Sequence, residues 1–202
     1  MQEDLIKDGV IKYTINWENA ACIAAETIAD LEHYRHLLWQ HKLIGEDERG
    51  YGYGNISKRC GANSAHFIIS GTQTGRKEWL SPNEYAKVTY WNIKNNLAFC
   101  KGKIKASSEA LTHANLYANF TDCQVVIHIH SHRIWHDYYN ILPTTDSKIV
   151  YGTPEMAQTV QFLFTQSRNS YLNNILIMGG HQDGILAWGD DFEQVVNAIL
   201  AL

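Results

Sequence analysis

The sequence is poor in the residues that break a chain or cross-link it. It has only three prolines among 202 residues, and no proline-rich or low-complexity stretch divides it into segments. We therefore expect a single domain over residues 1–202. The four cysteines are scattered without a Cys-x-x-Cys pair, as is usual for free thiols in a reducing compartment, so we expect a cytoplasmic location.

Long apolar runs and a strong excess of one charge are also lacking. The formal net charge is -4, and no run of lysine and arginine stands out, so we expect no nucleic-acid partner. The longest apolar stretches are far too short to span a bilayer, which excludes a membrane-spanning protein. The first residues, Met1-Gln2-Glu3-Asp4, do not resemble a secretory signal. These absences indicate an ordinary globular protein.

Apolar periodicity predicts helices and strands that alternate along the chain. Helices are expected over residues 16–43, from residue 107 onward, over 156–164 and over 192–202. Strands are expected at residues 55–59, 66–70, 89–93, 125–130, 175–178 and 184–188, with a loop at 44–54. Ser81 and Pro82 predict a short helix or turn near residues 85–88, because serine caps helices and proline suits their first position. The pattern predicts an α/β sandwich whose mixed, mainly antiparallel sheet is covered by helices.

The most informative motif is His128-Ile129-His130, at the end of the apolar strand predicted over residues 125–130. Side chains two residues apart project from the same face of a strand, so the two imidazoles would lie side by side. A third histidine, His181, lies in a glycine-rich turn at residues 179–184. Because catalytic zinc sites commonly have three protein ligands and one open position, these residues indicate a catalytic metal site.

Two other interpretations of the histidines remain open. Buried histidines often satisfy polar contacts without binding a metal, and a histidine cluster can act as a proton switch. Two more histidines, His132 and His136, follow the strand. Ser131 and Arg133 indicate a turn or a helix start there, so we leave His132 out of the candidate ligand set.

Three further segments carry polar groups suited to an anionic substrate. The glycine-rich stretches at residues 51–55 and 70–75 offer backbone N–H groups beside hydroxyls and an amide, an arrangement that can bind phosphate. Such stretches are more often ordinary tight turns. Ser107-Ser108-Glu109 places two hydroxyls and a carboxylate at a helix start, where they can simply cap the helix. If the Glu109 carboxylate faces the metal, it can instead serve as a general acid/base.

In chain order these motifs resemble the class II aldolase/adducin family, over about residues 20–200. No single motif is specific, but their order and spacing together are. The motifs are Gly-x-Gly-Asn-Ile-Ser at residues 52–57, Ile-Ser-Gly-Thr at 69–72, Ser-Ser-Glu at 107–109 with His113 and Tyr117 downstream, His-Ile-His-Ser at 128–131, Gly-Thr-Pro-Glu-Met-Ala at 152–157, and Gly-Ile-Leu-Ala-Trp-Gly at 184–189.

The resemblance implies a three-layer α/β/α sandwich around a mixed sheet, assembled as a homotetramer with active sites at subunit interfaces. It implies that His128, His130 and His181 bind a divalent metal ion, usually Zn2+, and that Glu109 is the acid/base. The implied activity is retro-aldol cleavage of a small hydroxy-carbonyl compound, with a ketose phosphate as the expected substrate. The residues expected to bind the substrate phosphate are Asn55, Thr72, Thr74, Gly75, Ser107 and Ser108.

The sequence departs from the family pattern around the expected substrate. Gly52 stands where sugar-phosphate aldolases have a small hydroxyl residue, Tyr53 adds bulk, and the stretch at 70–75 is two residues longer than usual. Gln182 and Asp183 separate His181 from the following glycine. Three alternatives therefore stay open: a phosphosugar dehydratase or epimerase using the same metal and carboxylate, a non-catalytic adducin-like binding protein, and a zinc hydrolase.

Overall fold

A computed structural model of the protein describes residues 10–62, 64–150, 152–166 and 174–202. Its strands are β1 (Thr14–Asn19), β2 (Gly45–Glu46), β3 (Gly52–Tyr53), β4 (Asn55–Arg59), β5 (Phe67–Ser70), β6 (Tyr85–Asn92), β7 (Leu97–Gly102), β8 (Val125–His130), β9 (Ile175–Ile177) and β10 (Gly184–Gly189). Its helices are α1 (Ala25–Gln40), α2 (Ala110–Asn119), α3 (His132–Tyr138), α4 (Pro154–Gln166) and α5 (Phe192–Leu200). Eight of these strands form one sheet, and β2 with β3 form a small separate ribbon.

The large sheet is mixed and mainly antiparallel, in the order β1-β7-β6-β5-β4-β8-β10-β9. The edge strand β1 pairs with β7 in parallel, and the other neighbours along this order pair antiparallel. One apolar layer packs α2 and α4 against one face of the sheet, and a second packs α1, α3 and α5 against the other face. This arrangement confirms the predicted three-layer α/β/α sandwich.

Strand β8 lies in the interior of the sheet, between β4 and β10. Its residues from Val125 to Ile129 are buried on both faces, which explains why it begins with three consecutive aliphatic residues rather than alternating with polar ones. The register places Asn55 of β4 opposite His128, with Leu186 of β10 on its other side. The central strand therefore ends with its histidines between two neighbouring strands.

Three secondary-structure predictions were wrong. Residues 16–43 do not form one helix, because β1 pairs with β7 at the sheet edge and α1 begins only at Ala25. Residues 85–88 are strand rather than helix. The capping pair Ser81 and Glu84 is present, but it opens only a short 3-10 turn, because Tyr85 and the residues after it pair with β5. The loop predicted at 44–54 contains β2 and β3, and β7 was not predicted.

The strand predicted at 89–93 is part of β6, which begins four residues earlier, and the helix predicted from residue 107 is α2, which begins three residues later. The other predicted elements are confirmed within about two residues, the usual uncertainty of an element boundary. The strand predicted at 125–130 is β8, and those predicted at 175–178 and 184–188 are β9 and β10. Ser131 caps α3, since its hydroxyl accepts from the backbone N–H of Ile134 at 3.3 Å. The interpretation of Ser131 and Arg133 as a helix start is therefore also confirmed.

Candidate functional site

Three histidines converge at the end of β8. His128 and His130 leave the same face of this strand, and His181 comes from the turn between β9 and β10. The ring centroids lie 5.0 Å, 4.9 Å and 4.7 Å apart, and one ligand nitrogen from each ring lies within 4.8 Å of the others. The antiparallel pairing of β10 with β8, which sets Gly184 opposite His130, brings the turn to this place. We call these three residues the histidine cluster.

The geometry and chemistry of the histidine cluster fit a divalent metal ion. The Nε2 atoms of His128 and His130 lie 3.2 Å apart. Two nitrogens bound to one tetrahedral zinc at the usual bond length would lie about 3.3 Å apart. The Nδ1 atom of His128 lies 3.1 Å from the carbonyl oxygen of Ile185, to which it can donate, and this leaves the Nε2 lone pair for a metal.

Burial favours the form of His128 that a metal requires. This side chain is only 2% exposed. Burial, followed by the neighbouring imidazoles of His181 and His130, holds the pKa of His128 well below its usual value. A metal binds neutral imidazole, so no proton has to be displaced from this ring at neutral pH. His132, in contrast, is exposed on α3 and lies 2.9 Å from the carboxylate of Asp183, outside the cluster.

The carboxylate of Glu109 lies beside the histidine cluster at the start of α2. The residue is only 2% exposed. Its Oε2 atom accepts a hydrogen bond from the Thr112 hydroxyl at 2.9 Å, and its Oε1 atom lies 4.0 Å from Nδ1 of His181. The side chain makes no capping hydrogen bond to the helix, although the residue occupies the N-cap position. The geometry therefore favours a chemical role over simple capping.

A polar cavity adjoins the histidines and Glu109, and we call it the anion pocket. Its wall contains buried hydroxyl and amide groups from three separate segments, at residues 52–55, 71–75 and 107–108, together with glycine backbone. No lysine or arginine belongs to its described wall. The Oδ1 atom of Asn55 is buried there without a hydrogen-bond partner among the described residues. Apart from Tyr53, Glu109 and the three histidines, the non-glycine residues of the anion pocket are Asn55, Gln73, Thr74, Ser107 and Ser108.

Most of the predicted phosphate-binding residues line the anion pocket, and one does not. Ser107, whose carbonyl oxygen accepts from the Tyr13 hydroxyl at 2.8 Å, lies in the wall with Ser108. The Thr74 hydroxyl donates to the Gly71 carbonyl at 2.8 Å, so it stabilises its own turn. Thr72 is absent from the wall. Its backbone N–H instead donates to the carbonyl of Lys105 at 3.0 Å.

Two side chains of the site, those of Gln73 and Tyr53, were not among the predicted site residues. Gln73 has a left-handed backbone with φ of 59°, and its Oε1 atom accepts from the backbone N–H of Gly52 at 2.9 Å. The ring of Tyr53 stacks on His130 with centroids 5.0 Å apart. The bulk of Tyr53 was visible in the sequence, but its contact was not. The sequence placed Gln73 in the glycine-rich stretch at 70–75, but its contact to Gly52 was not visible, because the two residues are 21 positions apart.

His113 and Tyr117 lie behind the site rather than in it. The Nδ1 atom of His113 is 2.7 Å from the hydroxyl oxygen of Ser57, which lies 2.8 Å from the Tyr117 hydroxyl. His113 is fully buried, and burial lowers the pKa of its imidazole to about 3. These residues therefore join α2 to β4 through neutral hydrogen bonds, which supports the strand that carries Asn55.

Comparison with known proteins identifies the family of this arrangement. Residues 41–202 match the family model of the class II aldolase and adducin N-terminal domain. The chain belongs to this family. The resemblance seen in the sequence motifs is thereby confirmed. No curated protein sequence matches the chain.

Several solved structures of class II aldolase type share the fold. An L-fuculose 1-phosphate aldolase is 17% identical, with a TM-score of 0.63 over 89% of this chain and 82% of that one. A putative aldolase/epimerase/decarboxylase from Escherichia coli is 16% identical, with a TM-score of 0.62 over 86% and 83%. A sugar-phosphate aldolase from Thermotoga maritima is 13% identical, with a TM-score of 0.62 over 87% and 90%. At such low identity the likeness shows the class II aldolase fold alone.

A second, wider cavity opens on the other side of the histidines in this class II aldolase domain. It has a volume of about 660 Å³ and shares Tyr53, His130 and His181 with the anion pocket. Its outer wall includes the basic residues Lys42 and Arg49. The histidine cluster therefore lies where a small polar cavity without lysine or arginine in its described wall meets a larger one.

Proposed function

We propose that this class II aldolase-family protein is a metal-dependent lyase that cleaves a ketose phosphate by retro-aldol chemistry. The observation that carries the proposal is the position of the buried Glu109 carboxylate, 4.0 Å from His181 in the histidine cluster and beside the anion pocket. Retro-aldol cleavage needs three functions: charge stabilisation, proton transfer and a grip on the substrate away from the reacting carbons. One cavity brings groups for all three together.

His128, His130 and His181 are the proposed ligands of Zn2+ or another divalent cation. Such an ion, when bound, would act as a Lewis acid toward the substrate carbonyl and its neighbouring hydroxyl. The protein fixes the ligands beforehand. The hydrogen bond from His128 to the Ile185 carbonyl sets its ring orientation, and the stacked Tyr53 ring covers one face of His130.

Glu109 is the proposed acid/base, acting through its Oε1 atom. Its Oε2 atom is already engaged by the Thr112 hydroxyl, which fixes the orientation of the carboxylate. The Oε1 atom lies on the side of the histidine cluster, where the carbon next to the substrate carbonyl would be bound. A carboxylate in this place can take a proton from the substrate hydroxyl and return one to the carbon of the departing fragment.

The anion pocket is the proposed binding site for the substrate phosphate. Its donors are neutral hydroxyls, an amide and backbone N–H groups, which can bind the anion without an accompanying cation. Binding energy at this remote group can orient the reacting carbons. The wider cavity would then receive the other end of the substrate. The proposed phosphate-binding residues are Asn55, Thr74, Gly75, Ser107 and Ser108, and Thr72 is left out because it does not line the pocket.

Epimerisation or dehydration on the same site is the second candidate function. One solved structure that shares the fold is described as a putative aldolase/epimerase/decarboxylase. The three reactions can share a metal and one carboxylate, so they differ in the product rather than in these residues. An adducin-like role without catalysis is less well supported, because His128, His130, His181 and Glu109 all remain together.

We further propose that each chain forms a single domain over residues 1–202. Four such chains would assemble as a homotetramer. The pairing of β1 with β7 supports a single domain, since it ties the start of the described chain into the central sheet. Within the described residues, no helix is both long enough and apolar enough to cross a membrane. The cytoplasmic location and the absence of a nucleic-acid partner stay predictions.

The direct test is product analysis with zinc-loaded protein and a panel of ketose phosphates. Retro-aldol cleavage gives two carbon fragments, which chromatography with mass detection would identify, while dehydration or epimerisation gives one product of unchanged carbon number. Elemental analysis of the same protein should find about one divalent metal ion per chain. If protein purified without metal leaves every substrate unchanged after zinc is added, the proposed lyase activity is wrong.

A further inference from the structure

Arg35 of α1 is a buried cation that contacts a turn of the anion pocket from behind. The residue is only 1% exposed. Its Nη1 atom donates to the carbonyl of Glu78 at 2.8 Å, and its Nη2 atom lies 3.2 Å from the Thr74 carbonyl and 3.5 Å from the Gly75 carbonyl. Nη2 also donates to the carbonyl of Lys77. One guanidinium group thus donates to four carbonyl oxygens within residues 74–78. We call this segment the clamped turn.

The charge of Arg35 is balanced inside the protein. Oε1 of Glu32 lies 3.7 Å from Nη1 of Arg35 and also accepts from the backbone N–H of Leu80 at 2.7 Å. Its Oε2 atom accepts from the Tyr85 hydroxyl. Glu32 therefore contacts the guanidinium and also the backbone of Leu80, two residues after the clamped turn. A buried pair with satisfied hydrogen bonds of this kind favours one geometry over others more than it adds stability.

The contact to Thr74 sets the direction of an N–H group. In a trans peptide the C=O and the following N–H point in opposite directions. Because the Thr74 carbonyl points toward Arg35, the N–H of Gly75 points away from it. The Gly75 nitrogen lies 3.2 Å from the place where a Cβ of Gly52 would be, and both glycines line the anion pocket. The contact of Arg35 with one side of the Thr74–Gly75 peptide therefore leaves the N–H of Gly75 on the other side as a hydrogen-bond donor.

We propose that Arg35 is a positioning residue of the anion pocket. It holds the carbonyls of the clamped turn so that the N–H of Gly75 faces the bound anion, and it makes no contact with substrate itself. This inference rests on the proposed phosphate binding. Helix α1 precedes residues 41–202, which match the family model, so the family match does not include this residue.

Arg59 provides a matched control. Its guanidinium also donates to several backbone carbonyls, those of Cys123 at 2.9 Å, Ser64 at 2.8 Å and Tyr117 at 2.7 Å. None of these residues lines the anion pocket. A lysine in either position keeps the charge but cannot reach several acceptors with a planar fork of donors. Both substitutions should therefore lower stability, and only one should alter the pocket.

The experiment compares the zinc-loaded parent with Arg35→Lys and Arg59→Lys by isothermal titration with inorganic phosphate. Circular dichroism and zinc content establish that each protein is folded and loaded at the temperature used. We expect Arg35→Lys to bind phosphate at least about tenfold more weakly than the parent, because a misplaced turn loses its alignment with the anion. Arg59→Lys should bind phosphate as the parent does.

The outcomes separate this inference from the proposed function. A parent that does not bind phosphate removes the proposed phosphate site, and the inference about Arg35 is then overturned with it. A parent that binds phosphate, with equal affinity in Arg35→Lys, overturns the positioning role alone. Equal weakening in both variants also overturns it, since the effect would then be general destabilisation.

A measurement on the parent protein keeps the inference testable if Arg35→Lys does not fold. Added phosphate should slow hydrogen exchange in a peptide that covers residues 74–78, because the N–H of Gly75 becomes a donor to the anion. Exchange in a peptide around Arg59 should not change. Exchange at residues 74–78 that is unaffected by saturating phosphate would overturn the inference without any substitution.

Discussion

The two halves of the candidate site are built in different ways. The histidine cluster comes from one interior strand and from the turn of the hairpin beside it, so ladder hydrogen bonds of the sheet place its rings. The anion pocket comes from three segments that are far apart in sequence: the junction of β3 and β4 at residues 52–55, the turn at 71–75, and residues 107–108 before α2. Strand pairing fixes a side chain through local periodicity, whereas a pocket built largely of connecting segments depends on distant side chains to hold it.

This difference predicts where substitutions act. In the histidine half, a change should remove one ligand and leave the sheet intact, because neighbouring strands already fix the backbone. In the anion half, residues outside the wall should influence binding, as proposed for Arg35. The predictions that follow test this contrast, from the largest expected effect to the smallest.

The largest effect is expected for His181→Ala. With two remaining imidazoles, the site loses one of three protein ligands, and we expect most of the bound zinc and all measurable turnover to be lost. The fold and the phosphate affinity should remain. Elemental analysis, circular dichroism and phosphate titration measure the three quantities. Full zinc occupancy in His181→Ala would show that the ligand set is wrong.

Glu109→Gln lies at the junction of the two halves and should separate chemistry from binding. An amide cannot carry the proton, so turnover should fall by roughly 10²–10⁴-fold, while zinc content stays at the parent value. The Thr112 hydroxyl can still donate to an amide oxygen, so stability should change little. Undiminished turnover with zinc still bound would mean that this carboxylate is structural. The measurement is the cleavage rate with the best substrate of the panel.

Ser108→Ala tests the anion half with a smaller expected effect. Removal of one hydroxyl that donates to a charged group should raise KM about tenfold, with zinc content and kcat nearly unchanged. Asp191→Ala is the control. It removes the cap of α5, in which the Asp191 carboxylate accepts from the backbone N–H of Gln194 at 2.8 Å, and should cost about 1 kcal/mol of unfolding free energy, but leave KM as it is. The contrast between the halves would fail if both variants raised KM equally.

The smallest effect on turnover is expected for His113, which should change the pH dependence of stability instead. Its pKa is about 3 in the folded protein, below the ordinary value near 6.5, so only the unfolded chain takes up this proton between those values. Unfolding free energy should therefore fall with decreasing pH in this range, by up to about 1.4 kcal/mol per pH unit from this group.

The variant His113→Gln does not titrate and should show a flatter dependence between about pH 6 and 4. Urea unfolding with a chelator present excludes the contribution of metal binding. His128, whose pKa is also lowered, contributes equally to parent and variant, so the difference in slope reports His113. Identical slopes would mean that the imidazole of His113 has the same pKa in the folded protein as in the unfolded chain.

The same contrast explains what the sequence could predict. Strands β8 and β10 are apolar runs between clear turns, so their positions and the shared face of His128 and His130 followed from strand periodicity. Strand β1 was missed, because most of its residues are exposed at the sheet edge and only the pairing with β7 makes them a strand. Residues 85–88 carried a true capping signal that tertiary pairing overrode.

In the anion half, sequence reasoning found the turns but not their internal geometry. Thr72 and Gln73 are adjacent, yet Gln73 lines the pocket and Thr72 does not. The left-handed backbone of Gln73 and its bond to Gly52 decide this, and both depend on contacts between distant segments. The link from Arg35 to residues 74–78 is equally long-range, and no local pattern indicates it.

The position of His181 in the β9–β10 turn gives a bound metal a second effect, on partly unfolded states that keep the ion. An ion shared by His130 and His181 would close a loop of about 50 residues, and in the chain-entropy treatment of cross-links a loop of that size is worth about 4 kcal/mol. That loop contains α3 and α4. Metal binding should then slow proteolysis of the whole segment between the two histidines, including cleavage sites far from the ion.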